Sequence, residues 1–303
     1  MKRLLTIIIV CAILTGCAPA ARVEDGYTFT DDLGRTVTVD DPQRVACLLG
    51  SFAQVWHLAG GEIIAAADDA WEDFDLPMPE DAVNLGHTKS LSLEALFAAE
   101  PDFVIASCNT DVNVQWRETL EAAGIPAAYF DVSDFDDYLR MLKICTDITG
   151  RADLYEQNGL AVQSQIDEAV EKSKERGTSP KVLYLRFSAS SIRAKNSKGS
   201  VLGEMLANLG CVNIADSDAT LLENLSMEHI LMEDPDFIFF VLLGDDALGA
   251  EENLNRYFAE NPAWSTLTAV QKGRVYYLDK TLYNMKPNAR WGEAYLALEE
   301  ILE

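Results

Sequence analysis

Histidine is scarce in this chain of 303 residues, and its cysteines are scattered. No two of the three histidines, His57, His87 and His229, have metal-ligand spacing. The six cysteines include no C-x-x-C pair, which argues against zinc and iron–sulfur ligation. We therefore expect no metal ion held by the protein and no cofactor.

Four cysteines lie beyond the first seventeen residues, namely Cys47, Cys108, Cys145 and Cys211. Export would permit disulfides. Cys47, however, lies in an apolar strand pattern, and Cys145 lies on a predicted helix. The sequence therefore favours buried free thiols at these two positions.

Familiar catalytic motifs are also absent. The sequence has no G-x-S-x-G elbow, Walker loop, G-x-G-x-x-G fingerprint or H-E-x-x-H pair, and we expect no catalytic residues. An exported α/β hydrolase that uses paired carboxylates is an alternative. An acidic surface produces carboxylate pairs by chance, so their number alone does not exclude it. A surface lipoprotein without a small ligand is a third alternative, which a two-lobed repeat disfavours.

Positive charge is in deficit, with 24 basic residues against 49 acidic ones. Loss of residues 1–16 would remove Lys2 and Arg3 and leave 22 basic residues against the same 49, a net charge of −27. Such a balance excludes nucleic acid as a partner and disfavours lying flat on anionic lipid.

The sequence begins with an apolar run that is too short to span a bilayer. Leu4 to Leu14 is about eleven residues long, whereas a spanning helix needs about twenty. The run follows two basic residues and ends in Leu14-Thr15-Gly16-Cys17, which resembles the bacterial lipobox. We predict a signal peptide over 1–16, a lipidated Cys17 and a tether over 17–26. The protein would lie outside the cytoplasm, at the cell surface or in a periplasm, held by its acyl chains.

Strand and helix patterns alternate along the rest of the chain. Residues 27–39 predict a β-hairpin, and beyond Pro42 short apolar runs alternate with helical segments. This alternation predicts an α/β fold with parallel sheets covered on both faces. Residues 151–176 predict one long helix between two lobes. The predicted domains are an N-terminal α/β lobe at 27–149, the connecting helix at 150–177 and a C-terminal α/β lobe at 178–303.

An internal repeat supports two related lobes. Residues 91–105 (LSLEALFAAEPDFVI) parallel residues 225–239 (LSMEHILMEDPDFIF) at a constant offset of 134 positions. Each copy reads as a Ser-capped helix, a Pro-Asp stop and a strand.

Several segments together resemble the substrate-binding lipoproteins of iron-chelate and cobalamin ABC importers. They are FTDDLGRTV at 29–37, PQRVA at 42–46, the two repeat copies and KPNARWGEAY at 286–295. The resemblance implies a monomer of two α/β lobes joined by one stiff helix, with a small metal chelate bound in the cleft between them. It also implies that the permease's transmembrane subunits are partners.

Glu94 and Glu228 occupy the same position in the two repeat copies. A carboxylate in the first turn of a helix complements the helix dipole. The resemblance adds a second role, since family members present one Glu per lobe to arginines of the permease. We predict that both roles hold together.

Ligand contacts are expected on loops at the carboxyl ends of the strands. The predicted contacts are Ser51, which we also expect to cap a helix, Trp71, His87, Asn109, Arg186, Arg193, Lys195, Tyr283 and Lys286. The cations among them favour an anionic chelate, above all a ferric siderophore. Haem is an alternative ligand, because His87, Tyr283 or Met285 could be the axial ligand of its iron. Cobalamin, which would need mostly aromatic walls, is the other alternative within the family.

Overall fold

The computed structural model describes residues 26–217, 221–222 and 225–303. The predicted signal peptide, the lipidated Cys17 and the tether up to residue 25 lie outside the described residues. In the part that is described, no helix is both long and apolar enough to cross a membrane.

The predicted hairpin is confirmed. Strand β1 (Tyr27–Thr30) pairs antiparallel with β2 (Thr36–Val39), in a register that places Tyr27 opposite Val39. Asp31 holds the turn, because its carboxylate accepts the backbone N–H of Arg35 at 2.9 Å and pairs with the Arg35 guanidinium at 2.6 Å. The same carboxylate accepts the N–H of Tyr129 at 3.2 Å, which fixes the hairpin to the first lobe.

The N-terminal lobe is built on a five-stranded parallel sheet. Its strands are β3 (Val45–Cys47), β4 (Ile63–Ala66), β5 (Val83–Asn84), β6 (Phe103–Ser107) and β7 (Ala127–Phe130). Their spatial order is β5-β4-β3-β6-β7. The helices of this lobe are α1 (Gly50–Leu58), α2 (Asp69–Glu72), α3 (Leu93–Ala98), α4 (Asp111–Gln115), α5 (Arg117–Ala122) and α6 (Phe135–Thr149). The β3, β4, β6 and β7 side chains are largely buried, as expected for a sheet with both faces covered.

A long helical segment follows. It comprises α7 (Ala152–Tyr155), a π-helical turn (Glu156–Leu160) and α8 (Ala161–Arg176). Gly150 before it and Gly177 after it have φ values of 70° and 65°, the left-handed conformation in which glycine commonly ends a helix. The π turn contacts the first lobe, where Asn158 Nδ2 donates to the carbonyl of Leu58 at 2.8 Å.

The C-terminal lobe has a second five-stranded sheet. Its strands are β8 (Lys181–Phe187), β9 (Ile192–Ala194), β10 (Val212–Asn213), β11 (Phe237–Leu242) and β12 (Val275–Leu278). Strands β10-β8-β11-β12 are parallel in that order, and β9 pairs antiparallel with the end of β8. The helices are α9 (Val201–Asn208), α10 (Met227–Glu233), α11 (Ala247–Glu260), α12 (Thr268–Gln271), α13 (Lys280–Tyr283) and α14 (Trp291–Leu302). Short 3-10 turns lie at Ile214–Asp216, Pro262–Thr266 and Asn288–Arg290.

One continuous core joins the two lobes. It includes Trp56 and Tyr138 of the first lobe, Ile166 of α8, and Tyr184 and Trp291 of the second. Two smaller clusters cover the other face of each sheet. A shared core of this kind resists rearrangement, because packed interiors deform little. The predicted fold, two α/β lobes joined by one long helix, is therefore confirmed.

Candidate functional site

The strand order of the first lobe creates a crevice between β3 and β6. From β3 the chain runs to β4 on one side, and from β6 it runs to β7 on the other side. The loops after β3 and β6 therefore diverge. Ligands of open α/β sheets bind at such switch points, beyond the carboxyl ends of the strands. A cavity of about 240 Å³ lies there. Its lining includes Ser51, Asp69, Ser107, Asn109, Met285 and Lys286, and thus residues of both lobes.

Hydrogen bonds hold the polar wall of this cavity in place. Asn113 Oδ1 accepts the N–H of Ser107 at 2.9 Å, and Ser107 Oγ accepts the N–H of Asn109 at 3.0 Å. The side-chain amide of Asn109 donates to Asp131 Oδ1 at 2.6 Å. These contacts give the first lobe a polar wall whose side chains are already oriented.

Ser51 lines the cavity but does not cap helix α1, so that part of its prediction is wrong. The helix begins at Gly50, and its N-cap residue is Leu49, which makes no side-chain cap. The physical reason is Asp69, whose Oδ1 accepts the Gly50 N–H at 2.8 Å. Only glycine fits at position 50, because a Cβ there would lie 2.5 Å from the backbone nitrogen of Ala70.

The sequence reasoning missed Asp69 itself. This residue is buried, and burial raises the pKa of its carboxyl to about 6. It follows β4 at the carboxyl end of the sheet, the position that predicted other site residues. That location was the available signal for Asp69 as a cavity residue.

The second lobe contributes positive charge. Arg186 on β8 and Arg193 on β9 stand opposite each other in the antiparallel register, so both side chains lie on one face of the sheet. Lys195 follows two residues later, and its backbone N–H donates to the carbonyl of Tyr184 at 2.9 Å, which continues the pairing. Arg186 Nε also donates to the hydroxyl of Tyr184 at 2.8 Å.

Lys286 is the fourth cation, and the charge of Arg186 acts on it. Burial, and then the charge of Arg186, lowers the pKa of its ammonium. The pKa of Lys195 is lowered by burial and then by Arg186 and Arg193. In the described part of the chain none of these four cations forms an ion pair. The shifts indicate that Arg186 lies near both lysines, and the role of the four cations as ligand contacts stays a prediction.

A second cavity of about 190 Å³ lies between the lobes. His87, Asp73 and Lys280 line it, together with Asp245 and Met285. Lys280 Nζ lies 2.6 Å from Asp245 Oδ1 in its own lobe and 2.8 Å from Asp73 Oδ1 in the other. Lys280 and Asp73 were not predicted, because their role depends on how the two lobes meet.

Two predicted contact residues have surroundings that differ from the prediction. Tyr283 is only 4% exposed, and its hydroxyl donates to the carbonyl of Ala294 at 3.1 Å. It therefore belongs to the packing of α13 on α14 and does not face the cleft. Trp71, expected in an exposed turn, lies in α2 and packs half-buried against the main core.

Glu94 and Glu228 lie in the first turns of α3 and α10 and are exposed. Each helix has a serine N-cap, Ser92 accepting from the N–H of Ala95 at 3.1 Å and Ser226 from that of His229 at 3.3 Å. Across the described residues, no group of three or more His, Cys, Asp or Glu side chains has the arrangement of a metal site.

Two α/β lobes joined by one long helix, with polar and charged cavities between them, define a ligand-capturing protein of the two-lobed class. Residues 45–282 match the family model described as "Periplasmic binding protein". The chain belongs to this family, and the resemblance inferred from its motifs is confirmed.

Two curated relatives and one solved structure illustrate the match. The putative ABC transporter substrate-binding lipoprotein YhfQ of Bacillus subtilis (strain 168) is 22% identical, over 97% of this chain and 94% of the relative. The Fe(3+) dicitrate-binding periplasmic protein FecB of Escherichia coli (strain K12) is 23% identical, over 84% of this chain and 83% of the relative. Staphylococcus aureus SirA complexed with staphyloferrin B superposes with a TM-score of 0.67 at 20% identity, covering 91% of this chain and 97% of SirA.

Proposed function

We propose that this protein captures an anionic ferric chelate in the cleft between its lobes and delivers it to an ABC permease. The observation that carries the proposal is the pairing of Arg186 with Arg193 across β8 and β9. Like charges directly opposite each other in a sheet are destabilising, and an anion bound between them would relieve the repulsion. YhfQ is named as a putative ABC transporter substrate-binding lipoprotein and FecB as an Fe(3+) dicitrate-binding periplasmic protein, which agrees with this role.

The neighbouring carboxylates do not neutralise the cations. Asp131 and Asp137 raise the pKa of Lys286, but burial and the charge of Arg186 lower it more, and Asp137 also pairs with Arg140 at 3.0 Å. In a chain with a net charge of −25, an uncompensated positive cluster points to an anionic ligand. The polar groups of the first lobe would supply hydrogen bonds to the other side of the chelate.

Ferric citrate is the anionic probe, and a ferric trihydroxamate without net negative charge is its counterpart. We expect calorimetric titration of the purified protein to show saturable binding of ferric citrate and much weaker binding of the trihydroxamate. A ligand at one hundred times its dissociation constant should stabilise the fold by about 2.7 kcal/mol in a thermal-shift assay. The bound chelate should be recovered chemically unchanged, as expected of a receptor rather than a hydrolase.

Charge variants make the test specific. Arg193→Gln and Lys195→Gln should each weaken ferric citrate binding by about 10- to 100-fold, because each removes a charge-assisted contact worth about 1.5–3 kcal/mol. Lys198→Gln is the matched control, since this exposed lysine lies three residues from Lys195. Equal binding of both probes, or equal affinity in all three variants, would contradict the proposal.

Haem is the second candidate ligand, because Met285 lines both cavities and His87 lines one of them. Haem also carries carboxylates that the cations would suit. A Soret band that changes on binding and is altered by Met285→Leu or His87→Ala would favour haem. Cobalamin belongs in the same screen as a largely neutral competitor.

The proposal places the receptor at its permease through two further features. Glu94 and Glu228 would pair with basic residues of the transmembrane subunits, one per lobe. Cys17, outside the described residues, would carry the lipid anchor of a monomer. Changing both glutamates to alanine should abolish uptake with ligand affinity retained, and Cys17→Ser should weaken uptake with binding retained.

A further inference from the structure

The two repeat copies share an exposed apolar position beside the acidic one. Phe97 and Leu231 are separated by the repeat offset of 134 residues, and each is 36% exposed. Among the described residues, they form the one pair of exposed large hydrophobic side chains with that separation. Each lies three positions after its glutamate, on the same face of its helix.

The buried sides of the two helices hold these positions in the same orientation. Leu96 and Ile230, again 134 residues apart, are completely buried and anchor α3 and α10 to their lobes. The residues that follow the helices, Glu100 and Asp234, both adopt positive φ values, 50° and 42°. Two equivalent patches result, each with one carboxylate and one apolar side chain.

We infer that Phe97 and Leu231 are apolar anchors that insert into matching pockets on the two transmembrane subunits of the permease. This inference rests on the proposed function, since it deepens the docking role of Glu94 and Glu228. The negative charge of this chain argues against a second copy as the partner of these patches. Two chains of net charge −25 would set carboxylates against carboxylates. A partner with two equivalent sites, each a basic residue beside an apolar pocket, fits both patches at once.

The two members of each patch have different physical roles. The glutamates steer association and set its register, whereas desolvated apolar side chains carry much of the affinity at interfaces. Truncating one anchor should therefore reduce permease binding about tenfold. The two sites lie in different lobes, so their effects should multiply to about 100-fold in the double variant.

The experiment uses the full-length protein, with its gene replaced in the cell of origin. Uptake of radiolabelled ferric citrate is compared for wild type, Phe97→Ala/Leu231→Ala and Leu248→Ala. Leu248 is the control, because it is 78% exposed and has no exposed counterpart in the repeat. In parallel, a photo-crosslinking amino acid is placed at position 97, 231 or 248.

We expect lower uptake only in the double variant, unchanged ferric citrate affinity in all purified proteins, and crosslinks to permease transmembrane subunits from 97 and 231 but not 248. Normal uptake in the double variant, with uptake lost in Glu94→Ala/Glu228→Ala, would overturn the inference and leave the docking glutamates standing. Loss of ligand affinity in the double variant would also overturn it. If ferric citrate does not bind the wild type, the proposed ligand fails, and the crosslinks decide the inference without any ligand.

Discussion

The N-terminal and C-terminal lobes close the base of their sheets with the same carboxylate contact. In the first lobe, Asp102 accepts the N–H groups of Gln43 and Arg44 at 2.8 and 2.9 Å. In the second, Asp236 accepts the N–H of Lys181 at 2.9 Å. The basic side chain then reaches back to carbonyls at the end of the repeat helix, from Arg44 Nε to Glu100 at 2.9 Å and from Lys181 Nζ to Glu233 at 3.2 Å.

At the cleft the lobes differ. Strand β3 is flanked by the parallel strand β4, whereas β8 pairs with β10 only at its start and with the antiparallel β9 at its end. This exchange places Arg193 opposite Arg186 at the carboxyl end of β8, whereas the carboxyl end of β4 in the first lobe is followed by Asp69, whose carboxyl lines a cavity. The comparison teaches that one scaffold was kept where it supports the sheet and changed where the ligand is proposed to bind.

The two lobes also attach to the connecting helix through different contacts. Removing the charged contact of the second lobe should have the largest effect on stability. Arg176 Nη1 pairs with Glu299 Oε2 at 2.7 Å, with side chains only 11% and 3% exposed. Glu299→Ala leaves the buried guanidinium unpaired and should lower the free energy of unfolding by about 3–5 kcal/mol. Urea unfolding measures this loss.

Two further variants test the difference between the contacts that attach the two lobes to the connecting helix. Glu300→Ala, at an exposed position of the same helix, should change stability by less than about 0.5 kcal/mol. Asn158→Ala, which removes the neutral contact to the first lobe, should cost about 1–2 kcal/mol. Equal losses at Asn158 and Glu299 would contradict the asymmetric attachment.

Asp69 provides the next largest effect, through pH. Burial raises the pKa of its carboxyl to about 6 from 3.8, so the folded state holds this proton more tightly than the unfolded state. The corresponding stability is complete below pH 3.8 and is lost as pH rises toward 6, by about 2–3 kcal/mol in all. Asp69→Asn should remove this loss and make the protein more stable at pH 7, as measured by urea unfolding between pH 4 and pH 7.5.

Asp81→Asn serves as the control and should keep the wild-type slope, because Asp81 is exposed and is not among the groups that shift the pKa of Asp69. A pH profile of Asp69→Asn that matches wild type would show that the carboxyl is not perturbed. The cleft would then lack the buried acid that distinguishes the first lobe from the second.

The shared carboxylate contact allows a direct comparison of Asp102→Ala with Asp236→Ala. Asp102 accepts two backbone hydrogen bonds and Asp236 one from the strand start, so we expect losses of about 2 and about 1 kcal/mol. Chemical denaturation of both variants measures the difference. A larger loss for Asp236→Ala would contradict the expectation that the loss follows the number of backbone hydrogen bonds.

The sequence predicted the architecture well because its signals are local. Hydrophobic periodicity located the strands and helices, glycines marked the ends of the long helix, and the repeat indicated two lobes. The cationic strand end at Arg186 was also visible, since charge is unusual at that place in an acidic chain.

The site was predicted less completely because it depends on contacts between distant segments. Tyr283 and Lys286 are three residues apart, yet the tyrosine packs inward and the lysine lines the cleft. A helix of four residues gives no periodicity from which to derive its buried face. Lys280 and Asp73 meet only because the lobes close on each other, which no local pattern records.

The smallest predicted effect tests the equivalence of the two acidic positions. Glu94→Ala and Glu228→Ala should each cost about 0.3–1 kcal/mol, the value of a carboxylate near a helix N-terminus. The two losses should agree closely, because both helices have a serine cap and a completely buried anchor at the same repeat position. Thermal unfolding at low salt measures them best, since salt screens the helix dipole. A loss well above 1 kcal/mol in one lobe alone would make that glutamate a structural residue, and the symmetry on which paired docking depends would be broken.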